Sequence, residues 1–122
     1  MLYAILCYNS EEQVFSWSKE HEDKVMTDLK TVQERMAKAG KLGPVARLMP
    51  TSAATTLRKN DQPLVLDGPF AETKEQLLGF YVVDCVDLEE VLTFAKELGV
   101  ANPGGAFEIR PLLTFSPGTA SA

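Results

Sequence analysis

Two carboxylates and a lysine lie close together in the middle of the chain, in the run DGPFAETKEQ. A carboxylate that is partly withdrawn from water can accept or donate a proton, so Asp67 and Glu72 are candidate acid–base catalysts. Glu72 and Lys74 are two residues apart, and in an extended loop both could point into one pocket, where Lys74 would hold an anionic or phenolate oxygen. The structural alternative is also open, because Asp-Gly is a common turn pair and charged loop residues are usually solvated.

The same region supplies candidate ligand-binding side chains. Thr73 and Lys74 would provide polar contacts, and Phe70 and Tyr81 could line an apolar pocket for a ring-shaped ligand. Both aromatic residues are also well explained as part of a core or of a subunit interface. The single histidine, His21, could act as a base near neutral pH, but it lies in the charged run KEHED, which reads as exposed surface.

Other kinds of site lack their usual patterns. The sequence has no glycine-rich phosphate loop, nucleophile elbow, calcium loop or zinc-ligand spacing. With one histidine, a metal centre would have to rely on a carboxylate cluster that the sequence does not show. We therefore predict no metal and no cofactor. A net charge of −5 and the absence of a basic stripe argue against nucleic acid and against a membrane as partners.

Length and composition predict one small domain. The 122 residues suggest a domain over residues 1–115, with a small, polar and frayed tail over residues 116–122. The opening MLYAILCYNS lacks a positive flank and is too short to span a bilayer, so we predict a cytoplasmic protein. We expect Cys7 and Cys85 to be buried free thiols, although a disulfide stays possible if their strands are neighbours.

The hydrophobic pattern predicts two helices and a mainly antiparallel sheet. A helical region over residues 11–39 should break near residues 16–19, and a second helix should be capped by Asp87 and end at Gly99. The predicted strands are Leu2–Tyr8, Pro44–Met49, Gly79–Cys85 and Ala106–Phe115, with a hairpin of Ala54–Lys59 and Leu64–Leu66. This order predicts an α+β fold, a ferredoxin-like sandwich with an inserted β-hairpin.

Both faces of the predicted sheet are apolar. In the strand LYAILCY, Leu2–Tyr8, both alternating sets of side chains are hydrophobic, and the same holds for Phe80–Cys85. Two helices can cover only one face, and soluble monomers seldom leave such a large apolar patch in water. We therefore predict a homodimer in which a second copy covers the other face.

The run DGPFAETKEQLLGFY, Asp67 to Tyr81, resembles the signature of the DGPF-domain proteins, a branch of the YCII-related superfamily. MLYAILCY, SAATTLRK and FEIRPLLTF fit the same family, so the resemblance covers nearly the whole chain. It implies a ferredoxin-like fold that assembles as a dimeric α/β barrel, which agrees with the argument from the two apolar faces.

The resemblance says less about function. A related YCII-type protein is a dehydrochlorinase, and other relatives carry a His–Asp pair where this sequence has Leu29 and Lys38, so that pair is not transferred. From the two apolar faces and the candidate side chains, we predict a small-molecule ligand, with aromatic molecules among the candidates, in a pocket at the dimer interface near residues 67–74. Cofactor-free acid–base catalysis is left open. The alternative is a non-catalytic sensor or regulatory partner linked to an extracytoplasmic-function sigma factor.

Overall fold

The computed structural model describes residues 1–121, in which six strands, three α-helices and one turn of 3-10 helix (Thr51–Ala53) are present. In chain order the main elements are β1 (Leu2–Asn9), α1 (Glu11–Val14), α2 (Lys19–Lys38), β2 (Leu42–Arg47), β3 (Thr55–Arg58), β4 (Leu64–Asp67), β5 (Gln76–Asp84), α3 (Leu88–Ala101) and β6 (Ala106–Pro111). The chain is therefore mixed α+β, as its pattern predicts.

Four strands form one antiparallel sheet in the order β2-β5-β1-β6. This order, with a helix after the first and third strands of the sheet, is compatible with the predicted ferredoxin-like sandwich. The predicted hairpin is also present, because β3 and β4 pair with each other and form a separate two-stranded sheet. Within residues 1–121 the larger sheet stays open, with β2 and β6 as its edges.

The core lies between one face of the sheet and helices α2 and α3. Alternation along β1 and β5 directs Ile5 and Val83 towards the helices, and both are fully buried there. The helical period places Leu29 of α2 and Leu98 of α3 against them. The buried residues Val25, Leu29 and Val32 form the apolar stripe of α2, which packs on the sheet.

The predicted break in the first helical region is confirmed. Ser10 caps α1, where its hydroxyl accepts a hydrogen bond from the Gln13 amide at 3.4 Å. Ser18 begins a new helix and accepts from the His21 amide at 3.1 Å. A serine that satisfies otherwise unpaired amides makes each position a favourable helix start, so the chain leaves the helix between the two serines and re-enters it.

The structure corrects several predicted boundaries, among them that of β2, which spans Leu42–Arg47 rather than Pro44–Met49. Three others have a clear physical cause. Helix α3 continues past Gly99 to Ala101, because Gly99 packs near the Phe107 ring and keeps a helical backbone. Strand β5 begins at Gln76 rather than Gly79, since Gln76 still pairs with the end of β1. Strand β6 ends at Pro111 rather than Phe115, because its paired register with β1 ends there. Local composition missed all three, since pairing and packing between elements set them.

The second face of the sheet has no helix over it. Ala4, Leu6 and Phe80 point to this side and are only partly buried within one chain. Both predicted free cysteines are unbonded, with Cys85 buried and Cys7 half-buried on the helix side. Among residues 1–121, no helix is long and apolar enough to cross a lipid bilayer.

Candidate functional site

A cavity of about 340 Å³ lies between α2 and the helix-facing side of the sheet. Its floor comes from β1, β5 and β2, and its roof from α2 and the chain that joins α1 to α2. The principal lining side chains are those of Cys7, Val14, Trp17, Met26, Leu29, Gln33, Val45, Arg47, Tyr81, Asn102 and Phe107. Most of this lining is apolar, so the cavity suits the body of a hydrophobic molecule.

Gly79 explains why the floor of the cavity is open. It pairs with Cys7 on one side and with Arg47 on the other, in the middle of the sheet. A Cβ atom at this position would lie 2.5 Å from the carbonyl oxygen of Ala46. Only glycine therefore lets β2 approach β5 this closely, and its missing side chain leaves space above the strand.

Tyr81 and Gln33 form a hydrogen-bonded pair at the cavity wall. The Tyr81 hydroxyl accepts a hydrogen bond from Gln33 Nε2 at 3.1 Å, and Tyr81 is only 7% exposed. Burial raises the pKa of Tyr81 above its ordinary value, so the phenol keeps its proton at neutral pH. Its hydroxyl can therefore donate a hydrogen bond to a bound molecule but cannot serve as a base there.

Cys7 adds a second protonated group. Burial raises the pKa of the Cys7 thiol to about 11, because a thiolate would lose its solvation in this apolar setting. Its sulfur lies 3.8 Å from the carbonyl oxygen of Ile5, to which it can donate a weak hydrogen bond. A thiol of this kind is a poor nucleophile at neutral pH, so Cys7 contributes packing rather than covalent chemistry.

Asn102 provides an unpaired acceptor at the end of the cavity. Its Oδ1 atom is buried and has no hydrogen-bond partner within residues 1–121. A buried acceptor without a partner is costly. A donor on a bound molecule, or a water molecule, would complete the hydrogen bonding at this point.

Arg47 lies at the side of the cavity, at the end of β2. Its Nη1 atom donates to Glu22 Oε1 at 3.1 Å, and the centre of its guanidinium lies 5.9 Å from the centroid of the Phe15 ring. Ion pairing and ring contact hold the guanidinium beside the opening. Arg47 is the one charged side chain among the cavity-lining residues in the described part of the chain.

A second, more polar pocket of about 600 Å³ adjoins the cavity. Val14, Trp17 and Asn102 line both spaces, so they form the boundary between them. The second pocket also has His21 and Lys74 in its lining, and His21 makes an edge-on contact with Trp17 at 4.7 Å between ring centroids.

Only two of the six site residues predicted from the sequence line either pocket. Tyr81 lines the cavity, and Lys74 lines the second pocket. The other four, Asp67, Phe70, Glu72 and Thr73, line neither of the two pockets. We call residues 67–74 the DGPF segment. All its residues except Gly68 and Pro69 are exposed within one chain.

Local contacts account for much of the DGPF segment. Phe70 is 71% exposed and lies under the Arg58 guanidinium, with 4.8 Å from the guanidinium carbon to the ring centroid. The Gly68 amide donates to the Ala54 carbonyl at 2.8 Å, which ties the segment to the hairpin. The Thr73 hydroxyl donates to the Glu75 carbonyl. In a single chain, the segment is thus a surface turn.

Reasoning from the sequence missed three residues of the cavity, namely Gln33, Arg47 and Asn102. Gln33 could have been found, because it is four residues after Leu29 and so puts an amide beside the apolar stripe of α2. Arg47 and Asn102 gave no local signal, since each lies next to the end of an element and reaches the cavity only through folding.

Comparison with known proteins identifies the family of this chain. Residues 1–116 match the model of the YCII-related domain. The chain is also 58% identical over 120 residues to an uncharacterized protein of Rhizobium meliloti (strain 1021), and the alignment covers 97% of each chain. A family model that spans nearly the whole chain, together with a relative matched end to end, shows that the chain belongs to the YCII-related family.

Proposed function

We propose that this protein binds a small, mainly apolar molecule in the cavity beneath α2. The observation that supports the proposal is the cavity itself, which has about 340 Å³ of space and only a few convergent polar groups. This combination is typical of small-molecule sites. The rings of Trp17, Tyr81 and Phe107 line the cavity and favour a ligand that contains an aromatic ring.

A thermal-shift screen against phenols, indoles and aromatic acids tests the proposal, since a ligand that binds the native state raises the melting temperature. Met26→Phe would fill part of the cavity and should abolish the shift. Met49→Phe is the matched control, because Met49 is 76% exposed and lines neither pocket. A shift that survives Met26→Phe, or no shift with any compound, would contradict binding in this cavity.

We also propose that the functional form is a homodimer. The sheet face with Leu6 and Phe80 has no helix over it, and the hairpin β3-β4 exposes Leu57, Leu64 and Leu66. An apolar surface of this extent favours a second copy as its cover. Phe80→Glu should give a folded monomer by light scattering, and a stable wild-type monomer at micromolar concentration would rule the dimer out.

In this proposal, catalysis depends on the DGPF segment and on the second copy. A partner that partly covered Asp67 and Glu72 would withdraw them from water, as cofactor-free acid–base work requires. The same proposal places the chain in the DGPF branch of the YCII-related family and puts a ligand pocket at the dimer interface. Asp67→Asn should then abolish turnover while the fold and the ligand affinity remain, and unchanged turnover would remove Asp67 from the mechanism.

A sensor or regulatory role is the second candidate. It is favoured by the protonated state of the Tyr81 hydroxyl and the Cys7 thiol in the cavity wall. Burial raises the pKa values of both Tyr81 and Cys7, so these two groups hold their protons at neutral pH and neither offers a base. A sensor should bind its ligand without product and change the behaviour of a partner, such as an extracytoplasmic-function sigma factor. The unbonded cysteines fit a reducing, cytoplasmic setting for either role.

A further inference from the structure

We infer that the molecule bound in the cavity carries a carboxylate and that Arg47 selects for it. This inference rests on the ligand-binding function proposed above and names the chemical class of the ligand. It depends on the charge of the cavity, the free donors of Arg47, and the position of Arg47 relative to Tyr81.

The charged lining of the cavity is positive only. Among the lining residues in the described part of the chain, Arg47 is charged, whereas the other polar side chains, such as Gln33 and Asn102, are neutral. No aspartate or glutamate of residues 1–121 lines the cavity. A cationic ligand would therefore lie beside a like charge, whereas an anionic ligand would lie beside an opposite charge.

Arg47 has hydrogen-bond donors that its contacts within residues 1–121 do not use. Its ion pair with Glu22 uses Nη1, which also lies 3.9 Å from the Met26 sulfur, and Nε and Nη2 have no acceptor within residues 1–121. A guanidinium offers donors in a planar fork that matches the two oxygens of a carboxylate. A ligand carboxylate can therefore bind beside Glu22 or displace it.

Glu22 is a weak competitor for this position. Both partners of the Arg47–Glu22 pair are 44% exposed. Solvent screens such a half-exposed pair and leaves little net attraction. A carboxylate attached to an apolar ring would gain the same contact and would also bury the ring in the cavity.

The strand register sets the size of the ligand. Arg47 pairs with Gly79, and Val45 pairs with Tyr81, so Arg47 and Tyr81 belong to neighbouring strands and lie on the same face, two residues apart. Such diagonal positions on neighbouring strands are about 7–8 Å apart. A single-ring acid can span that distance, with its carboxylate at Arg47 and a polar substituent at the Tyr81 hydroxyl.

The test compares aromatic carboxylic acids with their primary amides, which have the same shape but no charge. The probes are benzoate, phenylacetate and para-hydroxybenzoate with the corresponding amides, measured by calorimetry and thermal shift. We expect the wild-type protein to bind at least one acid about three- to fivefold more tightly than its amide, because the guanidinium of Arg47 is half-exposed. Arg47→Met should remove that preference, and Glu22→Gln should leave acid affinity unchanged or raise it slightly, because Glu22 competes only weakly for Arg47.

Arg35→Met is the matched control, because Arg35 also pairs with a glutamate, Glu97, at 3.0 Å, yet lines neither pocket. It should keep the full preference for the acid. Should Arg47→Met fail to fold, Arg47→Lys retains the charge without the planar fork and should keep only part of the preference.

Two results would overturn the inference. Equal binding of acids and amides by the wild-type protein would reject an acidic ligand while the proposed binding function stands. An acid preference that persists in Arg47→Met would reject Arg47 as its source. Binding of neither acids nor amides would instead count against the proposed function, and the inference would fail with it.

Discussion

The cavity beneath α2 and the DGPF segment differ in what each has and what each lacks. The cavity is partly open and mainly apolar, but Tyr81 and Cys7 in its wall hold their protons at neutral pH. The DGPF segment carries Asp67 and Glu72, which can exchange protons, but both are exposed within one chain. Acid–base catalysis requires a titratable group in an environment that tunes it, so neither region is sufficient by itself.

Mutations in the two regions should therefore have different effects. Substitutions around the cavity should change stability and binding within a single chain, because the contacts there are already made. Substitutions in the DGPF segment and the hairpin should change little unless a second copy covers them. The following predictions begin with the largest expected effect.

Leu29→Ala should destabilise the protein by about 3 kcal/mol, because it removes a buried side chain and leaves a larger void under α2. The matched change in the other region is Leu64→Ala on the hairpin, where Leu64 is 51% exposed. In a monomer, Leu64→Ala should cost less than about 0.5 kcal/mol. Urea unfolding at two protein concentrations measures both, and a concentration-dependent loss for Leu64→Ala would indicate that a second copy covers the hairpin.

Gly79→Ala should cost about 2 kcal/mol, since the new Cβ would meet the Ala46 carbonyl oxygen and force β2 away from β5. Gly99→Ala is the control, because its Cβ would lie at an ordinary 3.9 Å from the Phe107 ring inside α3. That change should leave stability unchanged or raise it by up to about 1 kcal/mol. A Gly79→Ala variant as stable as the Gly99→Ala variant would show that β2 can shift to accommodate the new Cβ.

Stability should fall as the pH rises from about 9 to about 11, and Cys7 should contribute to this fall. Burial raises the pKa of Cys7 from 9.0 in the unfolded chain to about 11. Below pH 9 both states are protonated, and above it the unfolded state loses its proton first, which favours unfolding. Denaturant unfolding against pH should show a shallower decline for Cys7→Ser, whereas an identical decline would remove Cys7 as a cause.

Asp67→Asn should change the free energy of unfolding by less than about 0.5 kcal/mol, since Asp67 is exposed at the end of β4. It should also leave the affinity of the cavity for its ligand unchanged, because Asp67 does not line the cavity. Calorimetry and unfolding curves measure both quantities. A large loss of either would mean that the DGPF segment and the cavity are coupled, and would remove the contrast between them.

Much of the fold could be predicted because its signals are local. The apolar stripe of α2 and the Asp87 cap, whose carboxylate accepts from the Glu90 amide at 3.0 Å, both depend on neighbours within a few residues. The candidate site could be predicted only in part, because a cavity depends on which elements meet. Tyr81 was predicted for its aromatic ring, yet its partner Gln33 is 48 residues away in sequence.

The sequence by itself determined which segments form helices and strands, though not where several of them begin or end. It also determined the hairpin and the two apolar faces of the sheet, since periodicity, caps and turn residues act over short distances. Only the tertiary structure decided that Arg47, Gln33 and Asn102 surround one cavity, and that most of the DGPF segment lies apart from it. These side chains come from β2, from α2 and from the residue after α3. Their meeting depends on strand order and helix packing, which no local pattern encodes.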